Sequence, residues 1–272
     1  MTEHAANLSD ERLVARGTTF PFFAIALGFT WLLQLPAVLA MQGVIAGPVE
    51  RYMPLGGLGA FGPLVAAILA AWFEAGRAGV RGLFARVGIW RVGPHWYAVA
   101  LGIFAALYVA GSAVFRALGG TEPGRWLYPP ENGLHVTAMV LIPLVEEPGW
   151  RGFALPRLQA RYGALAASLI LGVLWAFWHT MMFIVQGANP FIFAVSMANI
   201  IAGSVIFSWI YNRTRGSLLL AVLAHLGAHL SNPAHALPAN VTPFIVYTAA
   251  IAVGGCILIA TDRSAWKNPT AT

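Results

Sequence analysis

Leu141 to Phe153 reads L-I-P-L-V-E-E-P-G-W-R-G-F, the one place in the chain where acid sits inside a hydrophobic run. The other eight acidic residues (Glu3, Asp10, Glu11, Glu50, Glu74, Glu122, Glu131 and Asp262) fall in tails, loops or segment ends. The surroundings of the pair settle the class. The 272 residues are 58% hydrophobic and 10% charged, with a mean hydropathy of +0.71, whereas soluble domains are about one quarter charged. Apolar runs recur near 20–42, 54–73, 94–115, 134–153, 164–185, 190–211, 217–231 and 241–260. Most reach the roughly twenty residues that a helix needs to cross the hydrocarbon. A transmembrane barrel would show short alternating segments instead. The expected fold is an all-α polytopic membrane protein of about eight transmembrane helices, with an intramembrane polar site in its C-terminal half. An ionisable side chain at membrane depth is costly unless paired or wetted, so Glu146 and Glu147 mark a functional site by default.

Topology follows from the sixteen Lys and Arg residues. Placed on alternate sides of eight spans, thirteen fall on one side: Arg12, Arg16, Arg77, Arg81, Arg86, Arg91, Arg151, Arg157, Arg161, Arg213, Arg215, Arg263 and Lys267. Only Arg51, Arg116 and Arg125 fall on the other. Cytoplasmic loops carry the excess of positive charge, so both termini are expected in the cytoplasm. The net charge of +6 is then a record of topology, and no nucleic-acid partner is implied. The first nineteen residues carry five charges before any apolar run, so insertion is expected to start from an uncleaved first helix. Cys256 is the single cysteine, which leaves no intramolecular disulfide.

The chain is expected to divide into a cytoplasmic tail at 1–19, three helices over 20–133 with a basic cytoplasmic loop at 74–93, a transmembrane core holding the polar residues at 134–260 and a second cytoplasmic tail at 261–272. Within the basic loop Val80, Leu83, Phe84, Val87 and Trp90 alternate with arginines at roughly helical spacing, the pattern of a short helix lying on the cytoplasmic leaflet. The Gly119 to Gly133 segment, with Pro123, Pro129 and Pro130, reads as an extracytoplasmic loop. Gly56, Gly57, Gly59 and Gly62 are expected to allow close helix packing.

On a helix Glu147 and Arg151 share a face, while Glu146 points about 100° away. Arg151 can hold Glu147 ionised and leave Glu146 facing a cavity, and such separated environments give two acids different roles. Pro148 lacks an amide proton and Gly149 follows it, so the helix is expected to kink at the pair. Freed backbone groups are tolerated at membrane depth where they line a water-filled cavity. Three histidines also lie within apolar spans: His179, and His225 with His229 four residues later. The i, i+4 pair shares a helix face, a spacing used by metal sites and by hydrogen-bonding pairs alike. By depth, Glu146 and His225 agree, but His179 lies too far along its span unless that helix starts below the membrane surface, and it is expected to protrude.

E-E-P-G-W-R over Glu146 to Arg151, W-A-F-W-H ending at His179, and His225 followed by His229 resemble the motifs of the CPBP family, the CAAX prenyl endopeptidase-like intramembrane proteases. Two substitutions stand out: Trp175 takes the place of a phenylalanine four before the histidine, and His229 takes the place of an asparagine or aspartate. The likeness covers about residues 134–232. It implies hydrolysis of a peptide bond in a membrane-associated protein or peptide, within the bilayer of a multi-pass protein of a bacterial cell membrane, at a site opening toward the cytoplasm. Glu146 would be the general base, Glu147 with Arg151 would orient the site, and His179 and His225 would hold water or stabilise the oxyanion, with His229 standing in for the amide. No cofactor is required on this reading, although zinc held by Glu146, His179, His225 and His229 is the metalloprotease version. An ion- or proton-coupled transporter and a non-catalytic scaffold with a protease-like shell are the other classes that a midplane polar cluster allows.

Overall fold

The computed structural model describes residues 19–121, 125, 127–237 and 240–267, and among these every regular element is a helix. Expectations that fall on residues 1–18, 122–124, 126, 238–239 and 268–272, including Arg12, Arg16, Pro123, nearly all of the first tail and the end of the second, lie outside the described residues. The helices are α1 (Phe20–Met41), α2 (Met53–Leu58), α3 (Gly62–Ala85), α4 (His95–Ala117), α5 (Gly133–Glu147), α6 (Leu155–Tyr162), α7 (Ala164–Trp178), α8 (Thr180–Val185), α9 (Pro190–Arg213), α10 (Leu218–Ser231) and α11 (Thr242–Thr261). Each of the eight apolar runs becomes helix. Among the described residues six stretches are long and apolar enough to cross a membrane: Phe20–Met41, Met53–Gly88, His95–Ala117, Ala164–Val185, Pro190–Arg213 and Thr242–Thr261. The chain is an integral multi-pass membrane protein.

The remaining two runs differ from uniform spans. α10 has only fourteen residues, and the 134–153 run is not one α-helix. Its α-helical part stops at Glu147, and Pro148–Ala154 continues as a wider π-turn. Proline at 148 removes the proton that an α-helical bond to Leu144 would use, and π-turns recur at functional sites for this reason of re-aimed side chains. The expected kink is thus a change of helical pitch, which leads directly into α6. The 164–185 run is also interrupted, at His179, between α7 and α8.

Gly76 breaks α3, with Ala75 at φ −148° and Gly76 at φ +55°, a left-handed conformation that glycine adopts without a Cβ clash. Past the break the basic segment is helical through Ala85, with Leu83 buried and Phe84, Val87 and Trp90 exposed. Arg157 of α6 ties this segment to the core through an ion pair with Glu74.

Close helix approach is carried by particular glycines. A Cβ at Gly62 would meet Thr30 Oγ1 at 2.2 Å, and at Gly59 the Thr30 backbone oxygen at 3.2 Å. At Gly57 it would meet nothing within 4 Å, and at Gly56 only Gln34 at 3.7 Å, so those two do not serve packing as expected. Two further glycines seat the functional segments. Gly149 lies against the Pro63 carbonyl of α3, where a Cβ would come within 2.5 Å, and Gly227 of α10 lies against Leu101 O of α4 at the same distance. Since backbone cannot retreat as a side-chain tip can, Gly149→Ala and Gly227→Ala should each cost about 1–3 kcal/mol by overpacking. Thermal unfolding in detergent should show lower midpoints for both and an unchanged midpoint for Gly57→Ala; wild-type midpoints for the first two would contradict this packing.

Candidate active site

At the junction of α5 and the π-turn, Glu146 and Glu147 are both buried, with 3% and 0% of their surfaces exposed. The spacing argument for Glu147 holds. Arg151 Nη1 donates to Glu147 Oε1 at 2.8 Å across four residues, and both side chains are fully buried. The same oxygen lies 2.8 Å from Nδ1 of His225 on α10. Arg151 Nε and Nη2 and Glu147 Oε2 have no protein hydrogen-bond partner. The guanidinium instead lies between two aromatic faces, 4.3 Å from the Trp175 ring centre and 4.4 Å from that of Phe207. A desolvated cation gains most from ring faces in this setting.

Glu146 is not unpaired. Its Oε2 accepts from the indole of Trp150 at 3.2 Å and from that of Trp175 at 3.0 Å. Both donors are neutral, so Glu146 is oriented without a counter-charge, in contrast to Glu147. These two tryptophans are the residues that the sequence reading missed. Trp150 stands four residues after Glu146, the same spacing that identified Arg151. Trp175 was read only as an aromatic in a phenylalanine place, and its N–H is what phenylalanine lacks.

His179 reaches the site because α7 ends there. Its backbone N–H turns back to Ala176 O at 3.1 Å, which leaves the Trp175 carbonyl without its usual α-helical partner. The His179 ring takes that carbonyl through Nδ1 at 2.8 Å. A carbonyl only accepts, so the proton is assigned to Nδ1, and in the neutral ring Nε2 is left as an acceptor. The other carbonyl at this helix end, Trp178 O, accepts from the Trp31 indole at 3.1 Å. Trp178 in turn donates to Thr30 Oγ1 at 2.8 Å, and Thr30 donates to Gly59 O at 2.7 Å. The break that positions His179 is thereby fastened to α1 and to the turn before α3. His229 stacks on His225, ring centres 4.9 Å apart and planes 22° apart.

Glu146, His179, His225 and His229 line one cavity of about 760 Å³. Glu147 and Arg151 stand behind it and do not line it. The six residues expected at the site therefore separate into a cavity-facing group and a supporting pair. Trp175, Trp178 and Phe207 complete its inner wall. As a ligand shell the set fits poorly: among the described residues no three His, Cys, Asp or Glu side chains are grouped so as to hold a metal ion, and both indole donors already engage Glu146 Oε2.

Residues 132–231 match the family described as type II CAAX prenyl endopeptidase Rce1-like. Over 101 residues the chain is 31% identical to CAAX prenyl protease 2 of Methanococcus maripaludis, an alignment covering 34% of this chain and 37% of that protein. The chain thus spans little more than a third of the length of this curated relative. All six site residues fall inside the matched region.

Removing one member of a buried ion pair costs roughly 3–5 kcal/mol because the other charge is stranded. Arg151→Ala should fall toward the lower end of that range, since His225 still reaches Glu147. Glu146→Ala removes only hydrogen bonds from two neutral indoles and should be much milder. Chemical unfolding in detergent checks the ordering, and equal losses for both variants would contradict the division between supporting pair and cavity-facing acid.

Proposed function

We propose, from the match of residues 132–231 to the Rce1-like, type II CAAX prenyl endopeptidase family, that the chain is an intramembrane endopeptidase whose general base is Glu146. The observation that carries this reading is the convergence of Glu146 with His179, His225 and His229 on one cavity among transmembrane helices. Its substrate is a membrane-associated protein or peptide.

The chemistry follows from the hydrogen-bonding roles. A water in the cavity donates one hydrogen to the Glu146 carboxylate and the other to His179 Nε2, the acceptor left by the Nδ1 bond to Trp175 O. Its lone pair then faces the scissile carbonyl. As the water oxygen bonds to the carbonyl carbon, Glu146 takes the proton and the carbonyl electrons move to oxygen. His225, when it carries a second proton, is balanced by Glu147 at Nδ1 and donates to the oxyanion through Nε2. His229, stacked on His225, adds a second donor where the family motif has an amide or an acid. Collapse of the tetrahedral intermediate expels the amine, which takes the proton held by Glu146. No metal enters these steps.

Loss of a general base costs typically ~10²–10⁴-fold in rate. Glu146→Gln, which keeps the shape, should lose cleavage by about that factor while unfolding like wild type. The assay is turnover of a fluorogenic peptide, chosen from a membrane-peptide library for cleavage by the purified wild type. Retained turnover in Glu146→Gln would refute the assignment. His229→Asn restores the motif's usual amide and should keep substantial activity with no change in metal content. Stoichiometric zinc in the wild type, lost from His229→Asn together with activity, would refute the hydrogen-bonded version and establish the metalloprotease.

A further inference from the structure

α1 runs along the length of the site. Near its start Phe22 and Phe23 pack on Trp150, the indole that donates to Glu146. Midway Thr30 and Trp31 hold Trp178, whose ring lies against that of His179 with centres 4.7 Å apart. One turn later Gln34, and then Ala37, form part of the cavity wall itself. Apart from Trp31, Thr30 and Gln34 are the only residues of this helix with a nitrogen or oxygen in the side chain. Four residues apart, they share a helix face.

Their bonding differs. Thr30 Oγ1 accepts from Trp178 and donates to Gly59 O. Gln34 Oε1 is buried and has no hydrogen-bond partner in the protein. Its stem lies under Gly56 of α2, where a Cβ would stand 3.7 Å from Gln34 Cγ, and both residues line the cavity. The other amides on the wall are engaged or exposed. Asn199 Nδ2 donates to Thr248 Oγ1 at 3.3 Å, Asn232 Oδ1 accepts from Ala234 N at 2.9 Å, and Gln186 is exposed. A buried acceptor without a donor is destabilising, a cost that a leucine in the same apolar helix would avoid. The donor that suits this oxygen is one that arrives with the substrate. Each peptide N–H drawn out of water needs an acceptor, and a backbone N–H offers itself whatever side chain it belongs to.

We propose that Gln34 is a substrate-binding residue whose amide oxygen accepts a backbone N–H of the bound segment, fixing its register without selecting its sequence. The word scissile enters only through the endopeptidase reading above. On that reading the contact falls roughly two residues from the scissile bond, since Gln34 stands about one turn, ~5 Å, along α1 from Thr30 beside the Trp178–His179 pair, and an extended chain rises ~3.3 Å per residue.

Binding tests the contact without turnover. Labelled members of a membrane-peptide library are titrated onto the Glu146→Gln protein in detergent and read by fluorescence anisotropy. Analogues of the tightest binder then replace one backbone N–H at a time with an ester oxygen. One analogue should bind roughly tenfold more weakly than the parent peptide, and the others much less so. Gln34→Met, which keeps the unbranched stem and removes the acceptor, should weaken the parent peptide about as much and be nearly insensitive to that same ester. Its unfolding midpoint should not fall, because the lost oxygen had no partner in the protein; a lower midpoint with unchanged binding would mark a purely structural residue and overturn the proposal. With Glu146 restored, the loss should fall on KM more than on kcat.

Equal binding of the parent peptide with and without Gln34, or an ester position equally costly in both proteins, would overturn the contact and leave the endopeptidase reading intact. An ester effect that depends on Gln34, in a protein that cleaves no peptide, would uphold the contact and remove the endopeptidase reading. Binding of no peptide at all would overturn both. Should Gln34→Met fail to fold, the ester series on the Gln34 protein decides: one sensitive position supports the contact and a flat series overturns it.

Discussion

The buried ion pair between Glu147 and Arg151 is the constraint on which the rest of the site depends. Two full charges sit with no exposed surface in a chain of helices otherwise dominated by apolar side chains. Such a pair is tolerable only if both partners stay together and the remaining polar atoms find compensation. Here the compensation comes from three other helices: His225 of α10 on the carboxylate, Trp175 of α7 on one face of the guanidinium and Phe207 of α9 on the other. An interaction local to five residues of sequence, Glu147 to Arg151, thus helps fix the positions of α7, α9 and α10 around it. Two of these helices position the histidines: α7 ends at His179, and α10 carries His225 and His229.

Glu146 is held by the opposite strategy. Two neutral indoles fix one of its oxygens without neutralising its charge, which would suit the proton exchange proposed for it. The arrangement depends on two departures from α-helical regularity, the π-turn after Glu147 and the break at His179. Each frees or re-aims backbone groups that a continuous helix would consume. At the His179 break Trp31 takes up the Trp178 carbonyl, and Trp178 donates to Thr30, which donates to Gly59, so that irregularity is anchored on α1 and on the turn before α3.

Much of this was legible in the sequence because the relevant physics is local. Twenty-residue apolar runs, the i, i+4 relation of Glu147 to Arg151 and the diverging direction of Glu146 all follow from helical geometry. The approximate number of helices and the class followed from the same source. What escaped depends on contacts between distant segments. Trp175 Nε1 meets Glu146 only after α7 packs on α5, and the stacking of Phe207 on Arg151 has no sequence signal. Gly57 looked like its neighbours Gly59 and Gly62, yet only the latter two face Thr30. Pitch changes at Pro148 and His179 were visible as a kink or not at all, because proline marks where a helix is disturbed and not how the disturbance is resolved.

The proposed chemistry requires that the scissile carbonyl be attacked by a water held between Glu146 and His179. An experimental density map of the Glu146→Gln variant with an uncleaved peptide bound tests it most directly. The account predicts the peptide in the cavity lined by Gln34, Gln186 and Asn232, with an ordered water within hydrogen-bonding distance of residue 146, His179 Nε2 and the scissile carbonyl carbon's open face, and with His225 or His229 beside the carbonyl oxygen. A peptide seated elsewhere, or a scissile bond approached by a metal ion or another side chain in place of that water, would contradict it.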